Sequence, residues 1–257
     1  MNQTLITIAS AFALGLFAIT SCQKEDTTTP DTKSTTGTST TSLETFKKIY
    51  GASQVYIDGN YAIIKTNALP DHKTPYYKDT QWESSMYEAY NGTNTKFGLN
   101  PNRIQTQSLT FKIPITPVKA STTSATPGGP IGVSLNGVPF FNQYAAMSSP
   151  LTNEINGFDQ YNGHPQQQGQ YHYHMEPTYL TAKKGKDVLL GFLLDGFPVY
   201  GSTENGKTIT NADLDAYHGH TSATADYPNG IYHYHITSQD PYINGNGFYG
   251  TPGTVSQ

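Results

Sequence analysis

The sequence predicts an all-β fold, a sandwich or a barrel-like structure with two pseudo-symmetric halves and a few short helices. Three observations predict it: short runs of alternating apolar residues, frequent Gly, Pro and Asn turn signals between them, and an internal repeat. The chain has 257 residues, including 24 Gly and 16 Pro. Its formal net charge of −4 provides no basic face, so we exclude nucleic acid as a partner.

The strand segments follow an alternation of period two. Residues 54–66 alternate about an Asp58-Gly59 turn, which predicts a hairpin, and residues 108–115 alternate as a half-buried strand does. Four more strands are predicted at residues 131–135, 170–175, 187–194 and 230–236. A capping box formed by Thr80 and Glu83 predicts a short helix that ends before Gly92.

The N-terminal segment predicts export and lipid anchoring. Residues 5–19 are mostly apolar or small and too few for a membrane span, which is typical of a secretory signal peptide. The following Ile-Thr-Ser-Cys ending resembles a bacterial lipobox, so residues 1–22 are expected to be a lipoprotein signal peptide with Cys22 as the lipidation site. An ordinary signal peptide with an incidental cysteine is the alternative. Cys22 is the only cysteine, so the chain can form neither an intrachain disulfide nor a thiolate metal site.

The next segment, residues 23–42, is rich in Ser and Thr and predicts a flexible linker. The folded domain is therefore expected over residues 43–257. Together these features predict a protein that the lipid on Cys22 anchors to a membrane of the cell envelope. We expect that membrane to be the outer membrane. Whether the folded domain lies on its periplasmic side or at the cell surface stays open.

An internal repeat divides the folded domain into residues 131–177 and 189–242. Residues 131–141 match residues 190–200, and each copy continues with a Gly-His pair, at 163–164 and 219–220. Each copy ends in the tetrapeptide Tyr-His-Tyr-His, at 171–174 and 232–235. The three elements keep their order at offsets of 59, 56 and 61 residues, so we infer two equivalent halves related by an approximate two-fold axis.

Six of the eight histidines lie at matched places in the two copies. Because alternate residues of a strand point to the same side, the two histidines of each tetrapeptide are expected to share one face. If the two strands pair, four imidazoles face one spot, and the Gly-His histidines can close it. The expected metal ligands are His172, His174, His233, His235, His164 and His220. An all-imidazole set suits Cu(II) or Zn(II), so copper or zinc is the expected cofactor, with binding that weakens below a pH of about 6.

A carboxylate breaks the symmetry of the repeat. Asp195 stands in the second copy where the first has Asn136, each before a Gly. Asp195 is therefore a candidate catalytic residue, as a general base or as the orienting partner of an imidazole. An ordinary turn residue is the alternative.

The doubled tetrapeptide resembles the YHYH domain family, and the likeness extends over roughly residues 55–250. Its other motifs include Leu69-Pro70-Asp71-His72, Asn100-Pro101-Asn102, Gly163-His164-Pro165 and Asp195-Gly196-Phe197-Pro198. The resemblance implies a secreted or lipid-anchored protein and makes His72 an additional candidate ligand. Many members carry cysteines near the two Gly-His pairs. Here Tyr161 and Tyr217 stand in those regions, so a disulfide of those members is absent.

Three functions stay open at this point. The first is a metal-binding lipoprotein, and the second is a metal-dependent hydrolase or oxidase that acts on an extracellular substrate. The third is a structural, adhesion or carbohydrate-binding module, because 19 tyrosines and many polar residues suit a face that binds glycans.

Overall fold

The computed structural model describes residues 39–257. The predicted signal peptide, Cys22 and most of the predicted linker lie outside the described residues. The end of that linker belongs to the fold, since Thr41 is buried and its N–H donates to the carbonyl of Ile115 at 2.7 Å. Between residues 39 and 257, no helix combines the length and apolar character that crossing a membrane requires.

The described chain is mostly β-structure, with sixteen strands and three short α-helices. The strands are β1 (Ala52–Asp58), β2 (Tyr61–Thr66), β3 (Leu109–Pro114), β4 (Lys119–Ser124), β5 (Gly132–Ser134), β6 (Pro139–Phe140), β7 (Gly163–Pro165), β8 (Tyr171–Tyr173), β9 (Leu189–Leu193), β10 (Pro198–Tyr200), β11 (Thr203–Glu204), β12 (Lys207–Thr208), β13 (Gly219–Ser222), β14 (Ile231–His235), β15 (Phe248–Gly250) and β16 (Thr254–Ser256). The helices are α1 (Leu43–Phe46), α2 (Glu83–Met86) and α3 (Thr178–Lys184). The predicted all-β class is confirmed. The sheets of the described chain are open, so the sandwich-like form fits and the barrel does not.

The first sheet contains the predicted hairpin. Its strand order is β1-β2-β3-β16, and Gly59 makes the turn between β1 and β2 with a φ of 56°. The predicted helix from Thr80 is shorter than expected, because only Glu83–Met86 is helical. The hydroxyl of Thr80 donates to the carbonyl of Tyr77 and does not cap this helix.

The second sheet contains the internal repeat. Its order is β13-β14-β10-β9-β5-β6-β8-β7, so each copy of the repeat forms one half of four strands. The halves meet where β5 runs antiparallel to β9, with Val133 opposite Phe192. These two residues occupy equivalent positions in the repeat, which places the approximate two-fold axis between them. The two pseudo-symmetric halves are confirmed.

Two glycines allow this central contact. A Cβ atom on Gly132 would lie 2.3 Å from the carbonyl oxygen of Phe192, and one on Gly191 would lie 2.2 Å from that of Val133. Both clashes are with backbone atoms, which cannot rotate away. The matched glycines are therefore required for the halves to join.

The strands that contain the tetrapeptides do not pair. β8 and β14 lie in opposite halves of the sheet, separated by β6, β5, β9 and β10. The expectation that four imidazoles face one spot is therefore wrong, and each half has its own group of histidines.

Candidate metal centres

Each tetrapeptide strand presents its histidines on one face and its tyrosines on the other. His172 in β8 and His174 directly after it have their Nε2 atoms 3.0 Å apart, and in β14 the Nε2 atoms of His233 and His235 are 3.1 Å apart. The expectation that the two histidines of each strand share a face is thus correct.

The Gly-His histidines join these pairs through strand pairing. β7 runs antiparallel to β8 and sets His164 opposite His172. In the same way β13 runs beside β14 and sets His220 opposite His233. The predicted loop positions are therefore short edge strands, and three imidazoles meet in each half.

A glutamate completes each group, giving two clusters whose ligand atoms all lie within 4.8 Å of one another. The first cluster consists of Glu154, His164, His172 and His174. The second cluster consists of Glu204, His220, His233 and His235. Sequence reasoning missed both glutamates, which come from unequal places: Glu154 begins a 3-10 turn, and Glu204 lies on the small β11–β12 hairpin.

In the first cluster, backbone carbonyls fix the tautomers of both strand histidines. Nδ1 of His172 donates to the carbonyl of Gln170 at 3.0 Å, and Nδ1 of His174 donates to that of Asn142 at 2.5 Å. Because each neutral ring has one proton, both Nε2 atoms present lone pairs to each other. Two lone pairs at 3.0 Å repel each other unless a cation lies between them. This arrangement is typical of metal-ligating histidines, whose other nitrogen donates to a carbonyl.

The second cluster repeats this arrangement. Nδ1 of His233 donates to the carbonyl of Ile231 at 3.0 Å, and Nδ1 of His235 donates to that of Gly201 at 2.7 Å. The Nε2 atom of His220 lies 3.2 Å from that of His235 and 3.2 Å from an oxygen of Glu204. Three imidazole nitrogens and a carboxylate thus converge here as well.

The third histidine of the first cluster is held differently. The side-chain amide of Asn100 lies 3.4 Å from Nδ1 of His164, and no carbonyl accepts from that nitrogen. Nε2 of His164 is buried and lies 3.2 Å from an oxygen of Glu154, to which it can donate. The strand imidazoles are thus preorganised for a metal, whereas His164 accepts from the NH2 group of Asn100 at Nδ1 and must give up the proton on Nε2 before that nitrogen can bind an ion.

Burial keeps the strand imidazoles in the neutral form that a metal requires. Desolvation, together with the neighbouring imidazoles, lowers the pKa of His174 and that of His233 to about 4. The pKa of His172 is held well below its usual range by the same causes. The pKa of Glu154 is lowered chiefly by its hydrogen bond with His164, so this carboxylate is ionised. Neutral imidazoles with an ionised carboxylate form a donor set for a divalent cation.

Aromatic rings pack against imidazoles of both clusters. Phe141 stacks on His172 with a centroid distance of 3.8 Å, and Phe158 packs against His164 at 4.7 Å. In the second half Tyr200 occupies the position of Phe141 and lies 5.1 Å from His233. These contacts restrict the orientations of the imidazole rings.

The tyrosine faces have a matched network of their own. Tyr171 donates to Asp159 at 2.7 Å, and its counterpart Tyr232 donates to Asp215 at 2.9 Å. Both aspartates also accept backbone N–H groups of the Gly-His loops, including Gly163 and Gly219. Sequence reasoning missed Asp159, although the repeated spacing Asp-x-Tyr-x-Gly-His at residues 159–164 and 215–220 could have revealed it.

The structure places Asp195 on this tyrosine side. It is fully buried and accepts the hydroxyl of Tyr234 at 2.6 Å and the N–H of Gly250 at 2.9 Å. None of its hydrogen bonds involves a described histidine. The expectation that Asp195 orients an imidazole is therefore wrong, and its general-base role has no support from this position. In the first half Asn136 donates to the hydroxyl of Tyr173 at 3.1 Å in the same place.

His72 also lies away from the clusters. Its Nδ1 donates to the carbonyl of Lys73 at 3.2 Å, and its Nε2 accepts from the hydroxyl of Tyr173 at 3.2 Å. The rings of Tyr161 and Tyr179 pack against it at centroid distances of 4.4 and 4.8 Å. The structure thus brings six of the seven predicted ligands into two clusters and leaves His72 among tyrosines.

Each cluster borders its own cleft. The first cleft, of about 1000 Å³, is lined by Glu154, His172 and His174 of the first cluster. The second cleft, of about 730 Å³, is lined by Glu204 and His235 of the second. Both candidate centres are therefore reachable from the surface.

Comparison with known proteins identifies the family but no individual relative. No curated protein and no solved structure matches the chain. A family model described as YHYH protein matches residues 110–209 and 202–247, which together cover more than half of the chain and both histidine clusters. With this match added to the two matched half-sheets, the chain belongs to the YHYH protein family.

Proposed function

We propose that this protein is an extracytoplasmic lipoprotein that binds two divalent transition-metal ions, copper or zinc, one in each histidine cluster. The observation that carries the proposal is the convergence of lone pairs on Nε2 atoms whose Nδ1 protons are held by carbonyls. That feature occurs in both halves, on pairs of strand histidines that are buried and neutral.

The distances between the nitrogens fit a common ion. With metal–nitrogen bonds of about 2.0–2.1 Å, two ligands lie about 2.9 Å apart at a right angle and about 3.3 Å apart at the tetrahedral angle. The observed separations are 3.0 Å in β8 and 3.1 Å in β14, with 3.2 Å between His220 and His235. The side chains therefore need little movement to bind.

The donor set favours holding an ion over catalysis. Three imidazoles and a carboxylate supply four protein ligands in each cluster, whereas catalytic zinc usually has three and a bound water. A metal-dependent hydrolase or oxidase stays the second proposal, because three first-cluster ligands line an open cleft. Such an enzyme would need one position of the ion to be free for water or substrate.

The test is the metal content of the full chain, purified without a His-tag and loaded with zinc or copper. We expect two equivalents per chain, falling to one in His172→Ala, to one in His233→Ala and to none in the double variant. The matched control is His72→Ala, which removes a buried histidine outside both clusters and should leave two equivalents bound.

Two further readouts separate the alternatives. Binding should weaken as the pH falls below about 5, since protons then compete for strand imidazoles whose pKa burial lowers to about 4. A folded chain that binds neither ion would refute the proposal and favour a purely structural or adhesive role. Binding that is equally strong at pH 4 would refute ligation by the imidazoles. Mass spectrometry of the mature N-terminus tests acylation of Cys22 independently.

A further inference from the structure

The two clefts differ in chemistry although the clusters beside them are alike. The described lining of the second cleft is rich in charge, with three lysines and three acidic residues: Lys47, Lys48, Lys184, Asp187, Glu204 and Asp226. Among the described residues that line the first cleft there is no lysine or arginine, and Glu154, a proposed metal ligand, is the only acidic side chain among them. A ligand of the first cleft therefore meets no side chain that would neutralise a negative charge.

Groups that both donate and accept hydrogen bonds line the first cleft. They include the amides of Gln166 and Asn246 and the hydroxyls of Thr126, Ser148 and Tyr144. Sugar hydroxyls also donate and accept, so such groups match a polyhydroxylated ligand well. The ring of Tyr144 is 43 % exposed at the cleft and offers an apolar face for a sugar ring.

A buried amide in the wall has no partner. Gln170 is fully buried, and neither its amide nitrogen nor its oxygen makes a hydrogen bond. Leaving a buried amide unpaired is unfavourable, because it has lost its hydrogen bonds to water and gained none, so a partner is expected. The equivalent position of the second half is Ile231, where no polar group is needed. The amide is thus a feature of the first half alone.

From this we infer that the first cleft binds a neutral glycan, with Tyr144, Gln166 and Gln170 contacting its sugar rings and hydroxyls and the first cluster forming its floor. The inference rests on the proposed function, because the ion holds Glu154 and the three imidazoles in place and so completes that floor. It assigns the two halves different roles: both hold an ion, and only the first also binds a ligand.

The test uses the zinc-loaded full chain on an array of neutral oligosaccharides, acidic oligosaccharides and short peptides, followed by calorimetry with the best neutral hit. We expect neutral glycans to bind and Tyr144→Ala to weaken binding about tenfold. The matched control is Tyr56→Ala, which removes a tyrosine of 42 % exposure on β1, away from the cleft. Gln170→Ile installs the residue of the second half and should fold and also weaken binding.

Zinc content is measured on every variant, so the two proposals fail separately. Loss of glycan binding with two zinc ions retained supports the inference. Three results would overturn it while leaving metal binding intact: no neutral glycan binds, peptides or acidic glycans bind instead, or neither Tyr144→Ala nor Gln170→Ile changes the affinity. A chain that takes up no zinc refutes the proposed function instead.

Discussion

The buried carboxylate of Asp195 predicts an unusual dependence of stability on pH. Burial raises the pKa of Asp195 to about 6, although hydrogen bonds from Tyr234, Gly250 and Phe197 oppose that shift. The ordinary value is 3.8, so the folded state holds this proton more tightly than the unfolded state does. The contribution of this group to stability is therefore fully present below pH 3.8 and is lost as the pH rises through 6.

The variant Asp195→Asn removes this titration. A shift from 3.8 to about 6 corresponds to about 3 kcal/mol of unfolding free energy, lost by the parent chain between pH 4 and pH 7.5. The NH2 group that replaces one carboxylate oxygen cannot accept a hydrogen bond from the N–H of Phe197. The loss of this hydrogen bond costs about 1 kcal/mol at any pH. We therefore expect the variant to be less stable by about 1 kcal/mol at pH 4 and more stable by about 2 kcal/mol at pH 7.5.

Urea unfolding of both chains at pH 4, 5, 6 and 7.5, with a chelator present, measures this difference. The histidines titrate in both chains and cancel in the comparison. A difference that stays constant with pH would show that Asp195 is not a desolvated carboxylate. Zinc content gives a second readout, and it should remain at two equivalents, since Asp195 contacts neither cluster.

Three other outcomes follow from the same structure. Tyr171→Phe should lower the free energy of unfolding by about 1–2 kcal/mol, because Asp159 loses a hydroxyl donor, and should leave the zinc content unchanged. Thermal melts check the stability and metal analysis checks the zinc content. Gly191→Ala should prevent folding or lower the free energy of unfolding by more than about 3 kcal/mol, since its Cβ would lie 2.2 Å from the carbonyl oxygen of Val133. Circular dichroism measures this, and an unchanged spectrum and melting temperature would contradict it. The metal-free Asp195→Asn chain, which lacks the opposing titration of Asp195, should lose stability as the pH falls below 6.5, because burial lowers the pKa of His72 and of the strand imidazoles. Thermal melts from pH 8 to pH 5 measure this, and a constant melting temperature would contradict it.

The sequence was sufficient to predict the elements whose signals are local. The alternation in residues 54–66 and 108–115 and the two tetrapeptides correspond to β1, β2, β3, β8 and β14. That the side chains of His172 and His174 share one face also follows from the two-residue alternation of a strand alone. By contrast, short strands such as β6 and β13 have too few residues for a periodic signal, and only their partners in the sheet define them.

The arrangement of the site depended on non-local information. The repeat indicated a two-fold axis but not its position, and the axis passes between β5 and β9, far from the tetrapeptides. That position separates the strands that the sequence suggested would pair. Glu154 and Glu204 carry no motif, because a lone glutamate in a turn or a short hairpin resembles any solvent-exposed residue.

The unequal origin of the two glutamates is the strongest argument for metal binding over a purely structural role. The histidines of both clusters follow from one repeated pattern, so their similarity could reflect duplication of a packing arrangement. Glu154 precedes the histidine of its Gly-His pair by ten residues and Glu204 precedes its own by sixteen, so the carboxylates are not copies of each other. Packing neutral imidazoles against each other creates no need for a carboxylate, whereas a divalent cation does. The same ligand type therefore reaches equivalent clusters from different parts of the chain, which is expected if each cluster holds an ion.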